Sequence, residues 1–362
     1  MVEWKKLGEV CGIFDGTHQT PKYTDNGIKF VSVENINGLY NSNKFISEED
    51  YNANYKTKPR KNDVLMTRIG DVGSCAIIDR DELLAYYVSL ALLRPNSEFV
   101  LSGYVKYVLE SQVGKRELRK KTLLTAVPLK INLGDVGKVC IPLPSISEQK
   151  RIVDILDTFT ASIENLKEQI AQRRKQFEYY RDQLLDLEGK EGVEMKKLGD
   201  ECKLERGVRV VKKDLNEEGN IPVFQNSLSP LGYFEKSNYP GYTTFVICAG
   251  AAGEVGFCDK AFWAADDCTC IVCSSSIDSK YVYHFLMTKQ HLLKSQVRKA
   301  SVPRLAKDAI GKLMIPIPSI IEQFRIVSIL DTFEASIANL EAQLSQREKQ
   351  YEYYRNKLLT FE

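Results

Sequence analysis

Two clusters of cations occupy matching places in this chain, and each brackets a Val-Pro step. Lys115, Arg116, Arg119, Lys120, Lys121 and Lys130 surround Val127-Pro128, while Lys294, Arg298, Lys299, Arg304, Lys307 and Lys312 surround Val302-Pro303. Cations gathered around a turn can neutralise phosphates, which fixes register on a polyanion without reading its sequence. The competing reading is an ordinary solvated helix face. Upstream of the two clusters lie polar segments that differ from each other. The first, Gly16-Thr-His-Gln-Thr-Pro-Lys-Tyr23, offers Thr17, His18, Thr20, Lys22 and Tyr23. Arg68 precedes a glycine turn further on, and the second segment, 219–227, ends in Gln225, Asn226 and Ser227. Hydroxyl, amide and imidazole groups can meet the donors and acceptors on base edges. These residues, with the cations, are the expected DNA contacts.

Chemistry of the bond-breaking kind finds no support in the residues. There is no Asn/Asp-Pro-Pro-Tyr/Phe motif to hold a flipped adenine. Gly134-Asp-Val-Gly-Lys138 continues with Val139 and lacks phosphate-loop spacing. His18, His284 and His291 have no Ser or Cys partner suggested by spacing. Gly70-Asp-Val-Gly73 resembles Gly253-Glu-Val-Gly256, each beside a β-prone run. Neither fits a dinucleotide loop, so both read as β-turns. Cys268, Cys270 and Cys273 stand in an apolar run, CTCIVC, with no second CxxC pair. They read as strand thiols rather than a zinc site, and no metal is expected on the chain.

The elements that must position the polar groups come from a repeat. Ile141–Leu185 recurs at Ile315–Leu359 with a constant offset of 174 and 31 of 45 positions identical. Ile152, Leu156, Phe159, Ile163, Leu166, Ile170, Phe177, Tyr180, Leu184 and Leu187 follow alternating steps of four and three, with Arg173 in the one gap. Ile326, Leu330, Phe333, Ile337, Leu340, Leu344, Tyr351, Tyr354, Leu358 and Phe361 repeat the pattern around Arg347. This is a left-handed coiled-coil seam. Ser145 with Glu148, and Ser319 with Glu322, are expected to form capping boxes behind Pro144 and Pro318. The expected fold class is α+β: two α/β domains related by a pseudo-two-fold axis and joined by two long antiparallel coiled-coil helices. The expected segments are domain one at 1–146, helix one at 147–188, a linker at 189–194, domain two at 195–318 and helix two at 319–362. About 41 helical residues would give a rod of roughly 60 Å.

Composition suits this plan. The chain has 362 residues, is 43% hydrophobic and 27% charged, and carries a formal charge of +2, so it reads as two ordinary globular domains plus helices. Residues 1–144 hold 20 Lys/Arg against 17 Asp/Glu and residues 195–318 hold 17 against 13, while the helical segments are net acidic. No apolar run suits a membrane span or secretion signal. Nine cysteines, an odd number, suggest reduced thiols in a cytoplasm. Glu3-Trp-Lys-Lys-Leu-Gly8 matches Glu194-Met-Lys-Lys-Leu-Gly199, so the second variable segment begins as the first does.

The paired IPLPSISEQKRIV and IPIPSIIEQFRIV helix starts, with two divergent domains between them, resemble the specificity subunit of type I restriction–modification systems. GTHQTPKYTDNGIKFVSVENI is similar to one class of target recognition domain in that family. GNIPVFQNSLSPLGYFEKSN, with FVICAGAAGEVGF and FWAADDC, is similar to another. The resemblance implies a DNA-binding subunit without catalysis of its own, each domain reading half of a split, asymmetric site on duplex DNA. It also implies two modification subunits that methylate adenine N6 with S-adenosylmethionine, and restriction subunits that use ATP and Mg to translocate DNA. Those cofactors belong to the partners, and none is expected on this chain. A coiled-coil scaffold with protein-binding end domains is the alternative; it accounts for the helices but not for the matched cations.

Overall fold

The computed structural model describes residues 2–211, 213, 215–216 and 219–361. Met1 and Glu362, which bound two of the expected segments, lie outside the described residues. The chain divides into two compact units, Met1–Lys167 with Gln343–Glu362, and Glu168–Ala342. Among the described residues no helix is long and apolar enough to cross a membrane.

Unit one contains strands β1 (Glu3–Lys6), β2 (Cys11–Asp15), β3 (Ile28–Val31), β4 (Phe45–Ile46), β5 (Val64–Thr67), β6 (Cys75–Ile77), β7 (Leu84–Tyr86), β8 (Leu90–Pro95) and β9 (Cys140–Leu143). Unit two contains β10 (Glu194–Lys197), β11 (Cys202–Arg206), β12 (Ile221–Phe224), β13 (Gly232–Phe234), β14 (Thr243–Ile247), β15 (Val255–Cys258), β16 (Trp263–Ala264), β17 (Cys268–Cys273) and β18 (Met314–Ile317). The sheet orders β2-β8-β5-β6, β4-β3-β7 and β1-β9 in unit one reappear as β11-β17-β14-β15, β13-β12-β16 and β10-β18 in unit two. The two variable segments thus share one topology beneath unlike sequences. β5 and β14 are buried along their whole length, because each is an inner strand covered on both faces.

The shared starts and shared ends of the two segments are strand partners. β1 runs antiparallel to β9, with Glu3 opposite Leu143 and Lys6 opposite Cys140. β10 pairs with β18 in the same way, Glu194 opposite Ile317 and Lys197 opposite Met314. Each segment is therefore zipped closed where it meets the repeat. Just past this ladder Gly8 passes Gly137 so closely that a Cβ would stand 3.2 Å from the Gly137 carbonyl oxygen.

The repeat forms two long helices, Ile146–Leu185 and Ile320–Leu358. In unit one Phe159 stacks on Tyr354 at 5.4 Å, and Lys167 pairs with Glu348 at 3.5 Å. In unit two Tyr180 stacks on Phe333 at 5.4 Å, and Arg174 pairs with Glu341 at 2.5 Å. Within each unit the helical segments run antiparallel. The two arginines that interrupt the apolar seam lie over aromatic rings, Arg347 over Phe159 at 5.6 Å and Arg173 over Phe333 at 5.8 Å. The gap in the pattern is thus filled by cation–π contact and by arginine stems.

Two details of the helices differ from the sequence reading. Leu184 and Leu358 are only half-buried, whereas their neighbours Leu185 and Leu359 enter the domain cores at 6% and 0% exposure. The seam ends there because the last turn packs on a domain rather than on a helix. The capping boxes form by half. Ser145 and Ser319 accept the N–H of Glu148 and Glu322, but those carboxylates turn to Arg151 and Arg325 one turn along.

The repeat also carries a joint that periodicity does not show. Gln149 is fully buried; its amide donates to the carbonyls of Phe99 and Pro144 and accepts from Leu101 N–H. Gln323 does the same with Ser276, Pro318 and Asp278. Removing either amide leaves three backbone groups, partly or fully buried, without that partner. Gln149→Ala and Gln323→Ala are each expected to cost about 2–4 kcal/mol, read as a lower urea midpoint with unchanged slope. A loss below about 0.5 kcal/mol, the level of an ordinary surface change, would contradict this role.

Candidate nucleic-acid interface

In unit one the basic loop is built as a short bridge. Leu123 pairs with Lys130, and Lys130 also pairs with Ile69, so the Val127-Pro128 tip projects from a closed base. Gly70 N–H donates to the Leu129 carbonyl at 2.7 Å, and Ile131 N–H to the Arg68 carbonyl at 2.9 Å. Unit two repeats the arrangement: Arg298 pairs with Arg304, Arg304 with Ala249, and Gly250 N–H donates to Pro303 at 3.2 Å. In both, the cationic loop is stitched by backbone to the hairpin turn that follows β5 or β14.

Those turns also correct the glycine match. Gly70 (φ +81°) corresponds to Gly250 (φ +83°), and Gly73 (φ +106°) to Gly253 (φ +88°). The similarity of GDVG to GEVG was displaced by three residues, since Gly256 lies inside β15. Left-handed backbone, which glycine adopts without strain, marks the true equivalence.

The predicted cations are exposed at the surface. Lys115, Arg116, Arg119, Lys120, Lys121 and Lys130 are all exposed, as are Lys294, Arg298, Lys299, Arg304, Lys307 and Lys312. Lys120 is held by Glu117 at 2.6 Å and Arg116 lies 3.8 Å from the same carboxylate. Among the described residues Lys115, Lys121, Lys130, Lys294, Arg298, Lys299 and Arg304 form no ion pair within 4.0 Å. Val127 at the loop tip is wholly exposed.

The polar loops approach the same turns. Thr17 bridges to Tyr87, which ties the start of the first loop to the sheet. Asp15 then holds two of the predicted residues at once: His18 Nε2 at 2.8 Å and the Arg68 guanidinium at 2.7 Å. Arg68 is only 7% exposed and also donates to the Ile131 carbonyl at 3.4 Å. Arg68 is thus largely buried and joins the strand before the polar loop to the segment after the basic loop, unlike the exposed cations. His18, Thr20, Lys22 and Tyr23 are exposed. Tyr23 sits edge-on to Phe30 at 5.6 Å, with Lys44 5.8 Å from its ring, so Lys44 joins the candidate surface. In unit two Asn226 is exposed while its carbonyl accepts from Ala251 in the turn. Gln225 is half-buried near Asp267 at 3.4 Å, and Ser227 donates to the Ser229 carbonyl.

Topology also shows that the two polar loops are not counterparts. Loop 16–23 follows β2, whose equivalent is β11, and residues 225–227 follow β12, whose equivalent is β3. The matching positions are therefore the exposed Arg209 after β11 and Ser32–Asn35 after β3. Sequence reasoning names the polar run 27–35 but misses Arg209 and the true pairing of the loops, because unlike loops of unlike length hide the shared order of strands.

The CTCIVC run forms β17, with Cys268 and Cys270 buried and their thiols pushed up by burial. Cys273 lies 3.6 Å from Cys202 across the ladder. Among the described residues only His284, Asp331 and Glu334 gather three donors of metal-ligating type.

The profile of the type I restriction modification DNA specificity domain matches residues 1–173 and again residues 190–348. The chain belongs to this family. A putative type I restriction enzyme specificity subunit of Haemophilus influenzae is 30% identical over 268 residues, 64% of this chain and 66% of that protein. The EcoR124I/EcoR124II specificity subunit of Escherichia coli is 33% identical over 259 residues, 62% of this chain and 63% of that protein. The matches thus span less than two thirds of the length of these two specificity subunits. An S subunit of a type I restriction–modification system from M. genitalium shares the fold with a TM-score of 0.71 at 17% identity, over 100% of this chain and 97% of that one. The double match to the specificity domain agrees with the repeated sheet orders described above.

Proposed function

We propose that this chain is a specificity subunit that reads a bipartite, asymmetric site on duplex DNA, with one half-site for each unit. The observation that carries this reading is the cationic loop stitched to a glycine turn in both units, with a polar loop close by in each although the two polar loops follow different strands. The cations anchor phosphates, and His18, Lys22, Tyr23, Asn226 and their neighbours meet base edges. The long helices dock two modification subunits, which supply S-adenosylmethionine chemistry at adenine N6, and restriction subunits supply ATP-dependent translocation with Mg. The chain itself contributes recognition and no catalysis, and it acts in the cytoplasm. Segments 1–146 and 195–318 are the exchangeable readers in this proposal, and the helices are their spacers.

Filter binding on random duplexes, with and without modification subunits, tests the reading; a complex that retained no DNA above background would end it. A finer test separates anchoring from reading. Lys121→Ala with Lys130→Ala is expected to weaken binding to every sequence alike and to lower the salt slope by about 1.8, on ~0.9 per phosphate contact. His18→Ala is expected to alter only the half-site of unit one. A changed motif from the lysine pair, with an unchanged motif from His18→Ala, would reverse these roles.

A further inference from the structure

Both units close the joint between a domain helix and a long helix at the same place, but with different chemistry. Tyr104 and Tyr281 donate to the Pro142 and Pro316 carbonyls, which aligns helix Ser102–Glu110 with helix Ser279–Thr288. In unit one Tyr107 donates to Asp157, with Thr160 3.4 Å away, and Gly103 packs against Val153. In unit two His284 replaces Tyr107, Lys280 replaces Gly103 and Glu334 replaces Thr160, while Asp331 keeps the place of Asp157.

The substitution leaves an unfinished site. His284 is fully buried between Phe177 and Tyr283, and neither ring nitrogen has a hydrogen-bond partner. An imidazole buried without partners is strongly unfavourable unless something else satisfies it. Its Nε2 faces Asp331 Oδ1 at 3.8 Å, too far for a hydrogen bond. One atom each of His284, Asp331 and Glu334 lie within 4.8 Å of one another. The Lys280 ammonium balances the two carboxylates, 2.6 Å from Asp331 and 3.2 Å from Glu334. Burial and Lys280 together lower the His284 pKa to about 4, so the ring is neutral near pH 7, the form that ligates.

We propose that His284, Asp331 and Glu334 bind a divalent transition metal ion of the zinc or cobalt class, which displaces the Lys280 ammonium from the carboxylates. A nitrogen and two oxygens suit such an ion. At bonds of ~2.1 Å, ligand atoms in a tetrahedral site stand roughly 3.4 Å apart, so the widest pair must close by about 1.4 Å. Side-chain rotation on two facing helices supplies that movement. Nε2 becomes a ligand while Nδ1 keeps the proton, which leaves one unsatisfied ring nitrogen in place of two. The ion would clamp domain two onto its long helix, as the Tyr107–Asp157 hydrogen bond does in unit one. This proposal does not depend on DNA recognition.

The test is a Co2+ titration of the metal-free full chain, followed by visible absorption. One equivalent is expected to give a ligand-field spectrum that Zn2+ abolishes. His284→Phe, which preserves the aromatic packing, and Glu334→Gln, on the helix surface, are each expected to remove it. Lys280→Met is expected to tighten binding about tenfold, the scale of one neighbouring like charge. No spectrum in the wild type, or one that survives in Glu334→Gln, overturns the proposal. So does a thiolate charge-transfer band, which would place the ion on cysteines, or an unchanged affinity in Lys280→Met. If His284→Phe fails to fold by circular dichroism, Glu334→Gln decides alone.

Discussion

A chain carrying segment 3–144 in both places is expected to direct methylation to an inverted repeat of the first half-site. The reasoning starts at the ladders. β1 with β9 and β10 with β18 present the same register to the repeat, so replacing residues 194–318 by a second copy of 3–144 disturbs few side-chain contacts at the junction. The buried glutamine of the second helix then meets Phe99 and Leu101 backbone in place of Ser276 and Asp278. Under the proposed function both readers carry His18, Lys22 and Tyr23, and the pseudo-two-fold expected from the repeat would set their half-sites in opposite orientation. Genome-wide adenine methylation in a host expressing this chain with its modification subunits reads the motif directly. Disappearance of all sequence preference in a folded hybrid would refute independent reading and favour one composite surface.

Lengthening the helices is expected to lengthen the gap and leave both half-sites unchanged. Seven residues inserted after Ile170 and seven after Leu344 preserve the heptad phase on both helices. Each insertion adds about 10 Å of helix at ~1.5 Å per residue, or roughly three base pairs at ~3.4 Å. The expected motif keeps both half-sites with the gap longer by up to about three base pairs. Inserting two residues in place of seven turns the following seam by about 200°, away from its partner, and is expected to abolish binding by unpairing the helices. A methylated motif with its original gap after the seven-residue insertions would show that the helices do not set the distance.

What the sequence made legible is what periodicity encodes. The alternating four-three pattern from Ile152 to Leu187 announces its helix, because side chains on one stripe recur at fixed spacing whatever surrounds them. The cationic clusters were equally legible, since surface lysines need only be counted. Contacts with backbone left no such trace. Gln149 looks like any polar helix residue until the carbonyl of Phe99 and the N–H of Leu101 are brought to it. Arg68 looks like a surface cation until Asp15 meets it across the sheet. The glycine turns were misaligned by three because φ, and not the letters around each glycine, defines their equivalence. The departure of Leu185 and Leu359 from the heptad also follows from tertiary packing, which the local pattern cannot contain.

The glutamine joints bear on how such a protein can evolve. The hydrogen bonds from Gln149 and Gln323 to the variable segments go to main-chain atoms: Phe99 O and Leu101 N in one, Ser276 O and Asp278 N in the other. Main-chain atoms are the same in every sequence, so this socket is blind to the residues that pass through it. Drift in a reader, or its wholesale replacement by genetic exchange between neighbouring repeats, leaves the plug untouched. The 31 shared positions of the repeat then act as a mechanical adaptor. New specificities can arise without any matching change in the rest of the molecule.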